Sequence, residues 1–311
     1  MGRNPDVSYG TYRLLSFDEL WKKSGFDESE HMFSVRTRSA DEEYGNGVHQ
    51  WYCGMQDAGG VLQKGPWVGN RFHWYCLFDN EDYRITKGVK HRFQYDSQVK
   101  NGRGYYYPGT PEYKLMATGK NMDDVKVQEP VAPFNDGLTY TNSISSNCLA
   151  FTTKYADVTD PTIGRTDAYW PFLRYADIVL IYAEAQCELN DGISQDAIDA
   201  LNDIRIRSNA KEASVTGDGA IETKVELRSV IFEERAKELA YEGDRRWDLL
   251  RWGIYLDVMN SLGGINEDGT RTPYDEGSIN KRREFRHLLY PLPSLEVSTN
   301  MAIDKNNPGW N

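Results

Sequence analysis

The feature that most constrains the fold is the apolar helical pattern that begins at residue 173. In LRYADIVLIYAEAQCELND, a stripe of side chains recurs at the spacing of one helix face: Ile178, Ile181, Tyr182, Ala185 and Leu189. Val179, Leu180 and Ala183 are apolar on other faces of the same helix. A helix that is apolar on several faces is buried on more than one side, so this pattern predicts neighbouring helices.

A second helical pattern, SQDAIDALNDIRIRSNA, follows directly. Ser194 is placed to cap it, and the apolar residues Ala197, Leu201 and Ile204 face inward. The two patterns together occupy residues 175–208, a unit of 34 residues, which is the period of tetratricopeptide helical pairs. Such units generally need about three copies to bury a continuous core. The single visible copy therefore predicts that further helices pack beside it.

A third helix is predicted from Thr223. The Thr223-x-x-Glu226 spacing is a capping box, and an apolar stripe follows it, formed by Leu227, Val230 and Ile231. Gly243 is expected to end this helix, as a glycine at a helix C-terminus does. With these helices the chain is predicted to be mainly α.

Three glutamates on the third helix, Glu234, Glu238 and Glu242, share one face at i, i+4 and i+8. Glu234 and Glu238 fall inside the apolar stripe, and a buried carboxylate is costly unless it is paired. Candidate partners are Arg174, Arg205, Arg207, Arg245, Arg246 and Arg251. The alternative, a glycosidase acid pair, needs two carboxylates facing each other across about 5–9.5 Å, which one helix does not provide. We therefore predict that these glutamates belong to a structural ion network and are not a catalytic acid pair.

The first half of the chain differs from the second half in composition and periodicity. Residues 1–150 show little helical periodicity and are rich in Gly, Asn, Asp and Tyr, while residues 31–39 alternate like a half-buried strand. We predict a loop-rich region over 1–150 with a few short strands, followed by a helical region over 151–311. Long structured loops of this kind usually carry function.

The best candidate ligand site lies in HQWYCGMQDAGGVLQKGPWVGNRFHWYC, residues 49–76. An aromatic-lined concavity with a few convergent polar groups, which fix the orientation of a ligand, is the general form of a ligand site. The candidate ligand-binding residues are Trp51, Tyr52, Trp67, Asn70, Arg71 and Trp74. The alternative is that most of these aromatic side chains pack a loop-rich core.

Charge and spacing exclude other classes of site. The net charge of −11 repels phosphate backbones, so no nucleic-acid partner is expected. The histidines and cysteines lack metal-ligand spacing, so neither a metal site nor a cofactor is predicted. Cys53 and Cys76 share the aromatic segment and are either a pair or free thiols. Residues 1–10 contain no apolar core of a signal peptide, and no apolar run is long enough to span a membrane.

Five motifs occur in a fixed order: FLRYADIVLIYAEAQCELN, ALNDIRIRSNA, LRSVIFEERAKELAYEGDRRWDLLRWG, YPLPSLEV and NNPGW. In this order they resemble the C-terminal half of the SusD/RagB family of glycan-binding outer-membrane lipoproteins. The resemblance covers about residues 150–311, beginning at TKYADVTD. Asp244 departs from the family pattern, which often has His there.

The resemblance implies a tetratricopeptide-like helical scaffold with long loops and a few short strands, and no enzyme activity. It implies that the protein binds oligosaccharide at the cell surface and delivers it to a TonB-dependent outer-membrane transporter of the SusC type. The alternative within the family is a scaffold that binds peptide or protein.

The family's N-terminal helical half and lipid anchor are expected to be absent from this chain. The full-length form would then be lipid-anchored in the outer membrane, and this chain alone would be soluble. We also expect residues 173–250 to expose an apolar surface that the missing half, or a second copy, covers.

Overall fold

The computed structural model describes residues 12–27, 29–38, 45–57, 62–68, 74, 77–79, 81–90, 92–94, 101–104, 139–141, 151–261 and 283–310. The fold is dominated by helices, as predicted. The chain forms two compact units. The first comprises residues 1–117 and 121–242, and the second comprises residues 118–120 and 243–311.

In the first unit the described α-helices are α1 (Phe17–Leu20), α2 (Val48–Cys53), α3 (Tyr83–Thr86), α4 (Tyr175–Leu189), α5 (Gln195–Arg207) and α6 (Lys224–Glu238). The described strands are β1 (His31–Val35), β2 (Met55–Gln56), β3 (Leu62–Lys64), β4 (Val89–Lys90), β5 (Arg92–Gln94), β6 (Asn101–Gly104), β7 (Thr139–Thr141), β8 (Phe151–Thr152) and β9 (Trp170–Arg174). A short 3-10 helix spans Lys23–Asp27.

The main core lies between the three long helices α4, α5 and α6. Its fully buried members include Leu180, Ala183, Leu201, Ile204, Leu227 and Ile231. The predicted caps are confirmed: the Ser194 hydroxyl accepts the Ala197 N–H, and Thr223 and Glu226 form the capping box. Helix α6 nevertheless ends at Glu238, five residues before Gly243, so the predicted C-terminus was wrong.

The predicted multi-sided burial of α4 was wrong. The face that packs against α5 and α6 carries Ala176, Val179, Leu180, Ala183 and Cys187. Four members of the apolar stripe, Ile178, Ile181, Ala185 and Leu189, are exposed instead. Ala176 and Ala183 lie at this contact, where small side chains let neighbouring helices approach closely.

The strands form small sheets, and two of them join the loop-rich region to the helical region. Strand β1 pairs antiparallel with β9, with Phe33 opposite Leu173, and β4 pairs antiparallel with β8. The pairing of β1 confirms the strand predicted there. Further sheets are formed by β2 with β3 and by β5, β6 and β7. Strand pairing therefore joins residues before position 150 to residues after it, although the composition and periodicity of the sequence change there.

The outer side of the β1–β9 pair is apolar. Phe33 and Phe172 are both more than half exposed, and their rings stack with centroids 5.7 Å apart. Ile178, Ile181 and Leu189 on α4 are exposed as well, and with Ala185 they are what we call the exposed apolar face of this unit. Coverage of this face by a missing half or by a second copy stays a prediction.

The second unit contains α7 (Arg245–Arg251), α8 (Tyr255–Ser261), a 3-10 helix (Phe285–Leu288) and α9 (Ser294–Thr299). Arg246 organises part of it. Its guanidinium lies over the rings of Tyr255 and Tyr290, and it donates a hydrogen bond to the His287 carbonyl. Among the helices in the described ranges, none is long and apolar enough to cross a membrane.

Candidate functional site

The first element of the candidate site is the short helix α2, which carries Trp51 and Tyr52. Asn46 fixes its start: the backbone N–H and carbonyl of Asn46 bond to those of Thr166, at 3.1 and 2.9 Å. The Asn46 side chain accepts the Val48 N–H and donates to the Ala168 carbonyl. Helix α2 is therefore held against the segment that leads into β9, although its own six residues are too few for independent stability.

A glycine lies directly beneath the indole of Trp51. A Cβ atom placed on Gly47 would lie 3.0 Å from Trp51 Cε2, closer than ordinary van der Waals contact. The absence of a side chain at Gly47 lets the indole rest against the backbone at the start of α2. The orientation of Trp51 is thus set by its own helix.

A second glycine returns the chain after α2. Gly54 has φ +75° and ψ 172°, a region that is essentially restricted to glycine. A Cβ atom there would lie 2.6 Å from the Lys64 carbonyl oxygen. This close approach lets β2 leave the helix and pair with β3.

The return of the chain brings two tryptophans together. The backbone N–H groups of Trp67 and Val68 both donate to the Trp51 carbonyl, each at 2.9 Å. Trp51 is 45% exposed and Trp67 is 74% exposed. We call these two residues the Trp51–Trp67 surface.

The other two aromatic candidates pack into the protein. Tyr52 lies among Tyr155, Trp170 and Tyr241, with ring centroids 5.4 to 6.1 Å away. Burial raises the pKa of Tyr52. Tyr52 therefore packs in the interior, as the alternative interpretation of the aromatic segment predicts.

Trp74 is also partly buried. Its indole N–H donates to the Ala236 carbonyl at 2.7 Å, near the end of α6, and its ring meets Phe78 and Tyr241 edge to face. The remaining two candidates, Asn70 and Arg71, lie outside the described residues. The structure therefore brings Trp51 and Trp67 together at the surface and places Tyr52 and Trp74 in packed positions.

Polar groups from a distant segment line the same elements. The Gln56 N–H donates to the Pro161 carbonyl at 3.0 Å, and Gly164 lies against the Gln50 side-chain oxygen. The Asp160 carboxylate accepts both the N–H and the hydroxyl of Thr162. Exposed indoles can stack on a flat apolar ligand face, and amide and carboxylate groups on these segments can bond to hydroxyls.

Replacing Gly54 tests how this surface is built. We expect Gly54→Ala to lower the free energy of unfolding by about 1–3 kcal/mol, because its backbone conformation is strained for any L residue and the Lys64 carbonyl must move. Urea unfolding measures the change. Gly192→Ala is the matched control, since nothing lies within 4 Å of the added Cβ. Equal stability of the two variants would contradict the assigned role of Gly54.

The second feature is the ion network around the three glutamates, which is buried. Glu234 is 0% exposed and Glu238 is 2% exposed. Glu238 contacts three guanidinium groups: Arg207 at 2.5 Å, Arg174 at 3.1 Å and Arg84 at 3.5 Å.

The other two glutamates are paired in the same way. Glu234 bonds to Arg84 at 2.5 Å and to Arg205 at 2.8 Å. Glu242 accepts from Arg174 and from Lys154, both at 2.6 Å. The predicted structural network is confirmed, with Arg174, Arg205 and Arg207 among its members.

The sequence reasoning missed four members of the network. Glu30 accepts from Arg174 at 2.6 Å and from Arg207 at 3.2 Å, and Asp82 pairs with Arg84 at 2.7 Å. Lys154 was missed as well. All four lie in the region with little periodicity or just beyond its end, where the only local signal is Asp82, which caps α3 through the Arg84 N–H.

Two arginines proposed as partners make other contacts. Arg251 pairs with Asp248 three residues before it, and Arg246 bonds to the Tyr255 hydroxyl. These contacts arise because α6 ends at Glu238, so the arginines that follow belong to a separate short helix, α7.

The network keeps its carboxylates ionised. Burial alone would raise the pKa of Glu238, but the charges of Arg207, Arg174 and Arg84 outweigh it and hold the pKa well below its usual value. The pKa values of Glu234 and Glu242 are lowered by the same balance of burial against paired cations. A carboxylate in this state does not serve as a general acid near neutral pH.

The structure shows the state of Cys53, one of the two cysteines of the aromatic segment. Cys53 is a free, buried thiol whose Sγ donates to the Thr152 carbonyl at 3.2 Å. Burial raises the pKa of this thiol to about 12, so it is not a reactive thiolate. Cys76 lies outside the described residues. In the part of the chain that the structure describes, no group of three or more His, Cys, Asp or Glu residues could hold a metal ion.

Comparison with known proteins decides the family. The model of the SusD family matches residues 56–310, which is most of the chain. The chain belongs to the SusD family. The SusD-like protein P2 of Formosa agariphila is 33% identical over 142 residues, covering 44% of this chain and 25% of the relative.

Solved structures show the same fold. A SusD homolog from Bacteroides thetaiotaomicron aligns with a TM-score of 0.60 and 20% identity, covering 97% of this chain and 57% of the other. Surface glycan-binding protein A of the same organism, solved in complex with laminarihexaose, aligns with a TM-score of 0.57 and 19% identity, covering 96% and 56%. The chain thus spans little more than half the length of these SusD-fold structures.

Proposed function

We propose that this SusD-family chain binds carbohydrate without catalysis and that the Trp51–Trp67 surface is the binding site. The observation that carries the proposal is that two exposed tryptophans lie on segments joined by backbone hydrogen bonds from Trp67 and Val68 to the Trp51 carbonyl. Membership of the family and a relative solved with laminarihexaose support the class of ligand.

The structure around Trp51 suits the reversible binding of a ligand. Gly47 and Gly54 fix the backbone around Trp51, so little side-chain freedom is lost when a sugar stacks on the indole. Amide and carboxylate groups of the neighbouring segments supply the acceptors and donors that hydroxyl groups need. Asn70, Arg71, Tyr52 and Trp74 remain proposed contributors to ligand binding.

The absence of catalysis is proposed from the state of the acidic cluster. Glu234, Glu238 and Glu242 are buried, ionised and bonded to arginine and lysine side chains. Glycoside hydrolysis needs a protonated carboxylic acid at the cleaved bond. Release of reducing sugar by the purified protein, with loss of that activity in Glu234→Gln, would contradict a purely binding role.

The wider role is proposed from the family alone. We propose that the full-length protein is lipid-anchored at the outer-membrane surface and passes oligosaccharide to a TonB-dependent transporter of the SusC type. Copurification of such a transporter with the full-length protein from its native membrane tests this role.

Two substitutions test the ligand site. We expect Trp51→Ala and Trp67→Ala each to weaken glycan binding about tenfold to one-hundredfold, because exposed aromatic anchors typically contribute about 2 kcal/mol or more to a binding surface. A glycan array identifies the ligand, and isothermal titration calorimetry with that glycan measures the loss. The double variant is expected to lose more affinity than either single variant.

Trp247→Ala is the matched control, because Trp247 is a comparably exposed tryptophan of the second unit, at 59%. Its affinity should equal that of the unmodified protein. If the array shows glycan binding that all three variants retain, the Trp51–Trp67 surface is not the site. Binding to peptides and to no glycan would favour the alternative of a peptide-binding scaffold.

A further inference from the structure

A cleft of about 310 Å³ lies in the first unit, between α1 with the residues just after it and the segment 153–157. Its apolar part is formed by Phe17 and Trp21, both largely buried. This volume lies at the lower end of the usual range for small-molecule pockets, about 300–1,000 Å³.

Most polar groups of the cleft make hydrogen bonds, to one another or to the neighbouring backbone. The Lys87 ammonium donates to both carboxylate oxygens of Asp18, at 2.9 and 2.7 Å. Asp157 accepts the backbone N–H of Lys23 at 2.8 Å, and the Thr153 hydroxyl donates to the Lys87 carbonyl at 3.0 Å. A site whose polar groups are already fixed loses little entropy when a ligand binds.

The charges of the lining balance. Two carboxylates, Asp18 and Asp157, are matched by two ammonium groups, Lys22 and Lys87. A strongly charged ligand gains no net attraction from such a lining. Hydroxyl groups both donate and accept hydrogen bonds, so a neutral polyhydroxyl compound can use the carboxylates as acceptors and the ammonium groups as donors.

The aromatic floor is rigid. Lys154 Nζ lies 4.7 Å from the centroid of the Trp21 ring, the guanidinium carbon of Arg174 lies 5.1 Å from it, and the ring meets Tyr155 edge to face. Both cations belong to the buried ion network, which therefore supports Trp21 from inside. A supported aromatic floor beneath fixed polar groups is the general construction of a small-ligand site.

We propose that this cleft is a second carbohydrate subsite, which takes a single neutral sugar ring and shares no residue with the Trp51–Trp67 surface. The inference rests on the proposed function only for the class of ligand. A chain that carries both sites engages a glycan at two points, which raises its apparent affinity for long chains above that for short ones.

The experiment uses the double variant Trp51→Ala/Trp67→Ala, in which the first site is disabled. Saturation-transfer NMR is recorded with glucose, galactose and mannose as probes. We expect the double variant to retain weak binding of at least one sugar, and we expect Ala156→Phe in the same background to weaken it about tenfold or more by filling the cleft. Ala185→Phe, at an exposed alanine of α4, is the matched control and should leave the binding unchanged.

Lys22→Ala provides a second test of the cleft that does not depend on the folding of Ala156→Phe. Lys22→Ala removes a rim ammonium group and is expected to weaken sugar binding severalfold. Absence of sugar binding in the double variant, or binding that neither Ala156→Phe nor Lys22→Ala changes, overturns the cleft proposal and leaves the Trp51–Trp67 site standing. Full glycan binding in the double variant that Ala156→Phe abolishes supports the cleft and overturns the first site.

Discussion

Glu238→Ala is expected to lower the free energy of unfolding by about 3–5 kcal/mol, the usual cost of removing one partner from a buried ion pair. The loss is large because Glu238 contacts Arg207, Arg174 and Arg84 together, and truncation leaves buried positive charge without its central counter-ion. Urea unfolding followed by circular dichroism measures the change.

Glu188→Ala is the control for this experiment. Glu188 forms an ion pair with Arg228 in which both side chains are well exposed, and such pairs contribute about 0–1 kcal/mol. If Glu238→Ala changed stability by no more than the control, the carboxylate would be solvated and the network would not stabilise the fold. Where Glu238→Ala still folds, glycan binding should persist, because Glu238 contacts the arginines of the network and neither Trp51 nor Trp67 is among its bonded partners.

The second large effect is a loss of stability in acid that begins near pH 6.5. Burial lowers the pKa of His31 from 6.5 to about 4, so between these values the unfolded chain binds a proton that the folded chain does not. Folding stability is then fully present above pH 6.5 and falls by up to about 1.4 kcal/mol per pH unit for this group. His49, whose pKa burial also lowers, acts in the same direction.

A steeper loss is expected below pH 4.5. The pKa values of Glu234, Glu238 and Glu242 are lowered from 4.5 in the folded protein, so their contribution is present above pH 4.5 and is lost as the pH falls through the folded values. Urea unfolding at a series of pH values from 8 to 3.5 measures both stages. His31→Gln should flatten the first stage and leave the second. A stability that is constant from pH 8 to 5 would contradict the assignment to His31.

Local spacing was sufficient to predict the helices but not which way they face. The caps at Ser194 and Thr223 act over three residues, so the sequence contains all of the information they need. Helix α4 is apolar on two faces, and the choice between them depends on α5 and α6, which pack against Ala176 and Ala183. The sequence of α4 alone does not show which of its two apolar faces is buried.

The sequence was likewise insufficient to predict which aromatic residues of the candidate site are exposed. Trp51, Tyr52, Trp67 and Trp74 share one aromatic segment, and its composition does not distinguish an exposed ring from a packed one. The distinction comes from distant contacts, such as the bond from Trp74 to the Ala236 carbonyl, 162 residues away. Glu30 and Lys154 were missed from the ion network for a related reason, since a residue in an aperiodic segment carries no signal of its burial.

The ion network also has a consequence for how the chain folds. Its members come from separate parts of the sequence: Glu30 meets Arg207 across 177 residues, and Arg84 meets Glu234 across 150. Each charge loses its hydration only when its partners arrive, so an assembly that lacks one segment gains nothing from desolvating the others. Contacts of such long range slow the search for the native state, because loop closure precedes any gain. We therefore expect the network to form late and in one step, in which the long helices also acquire their fixed positions.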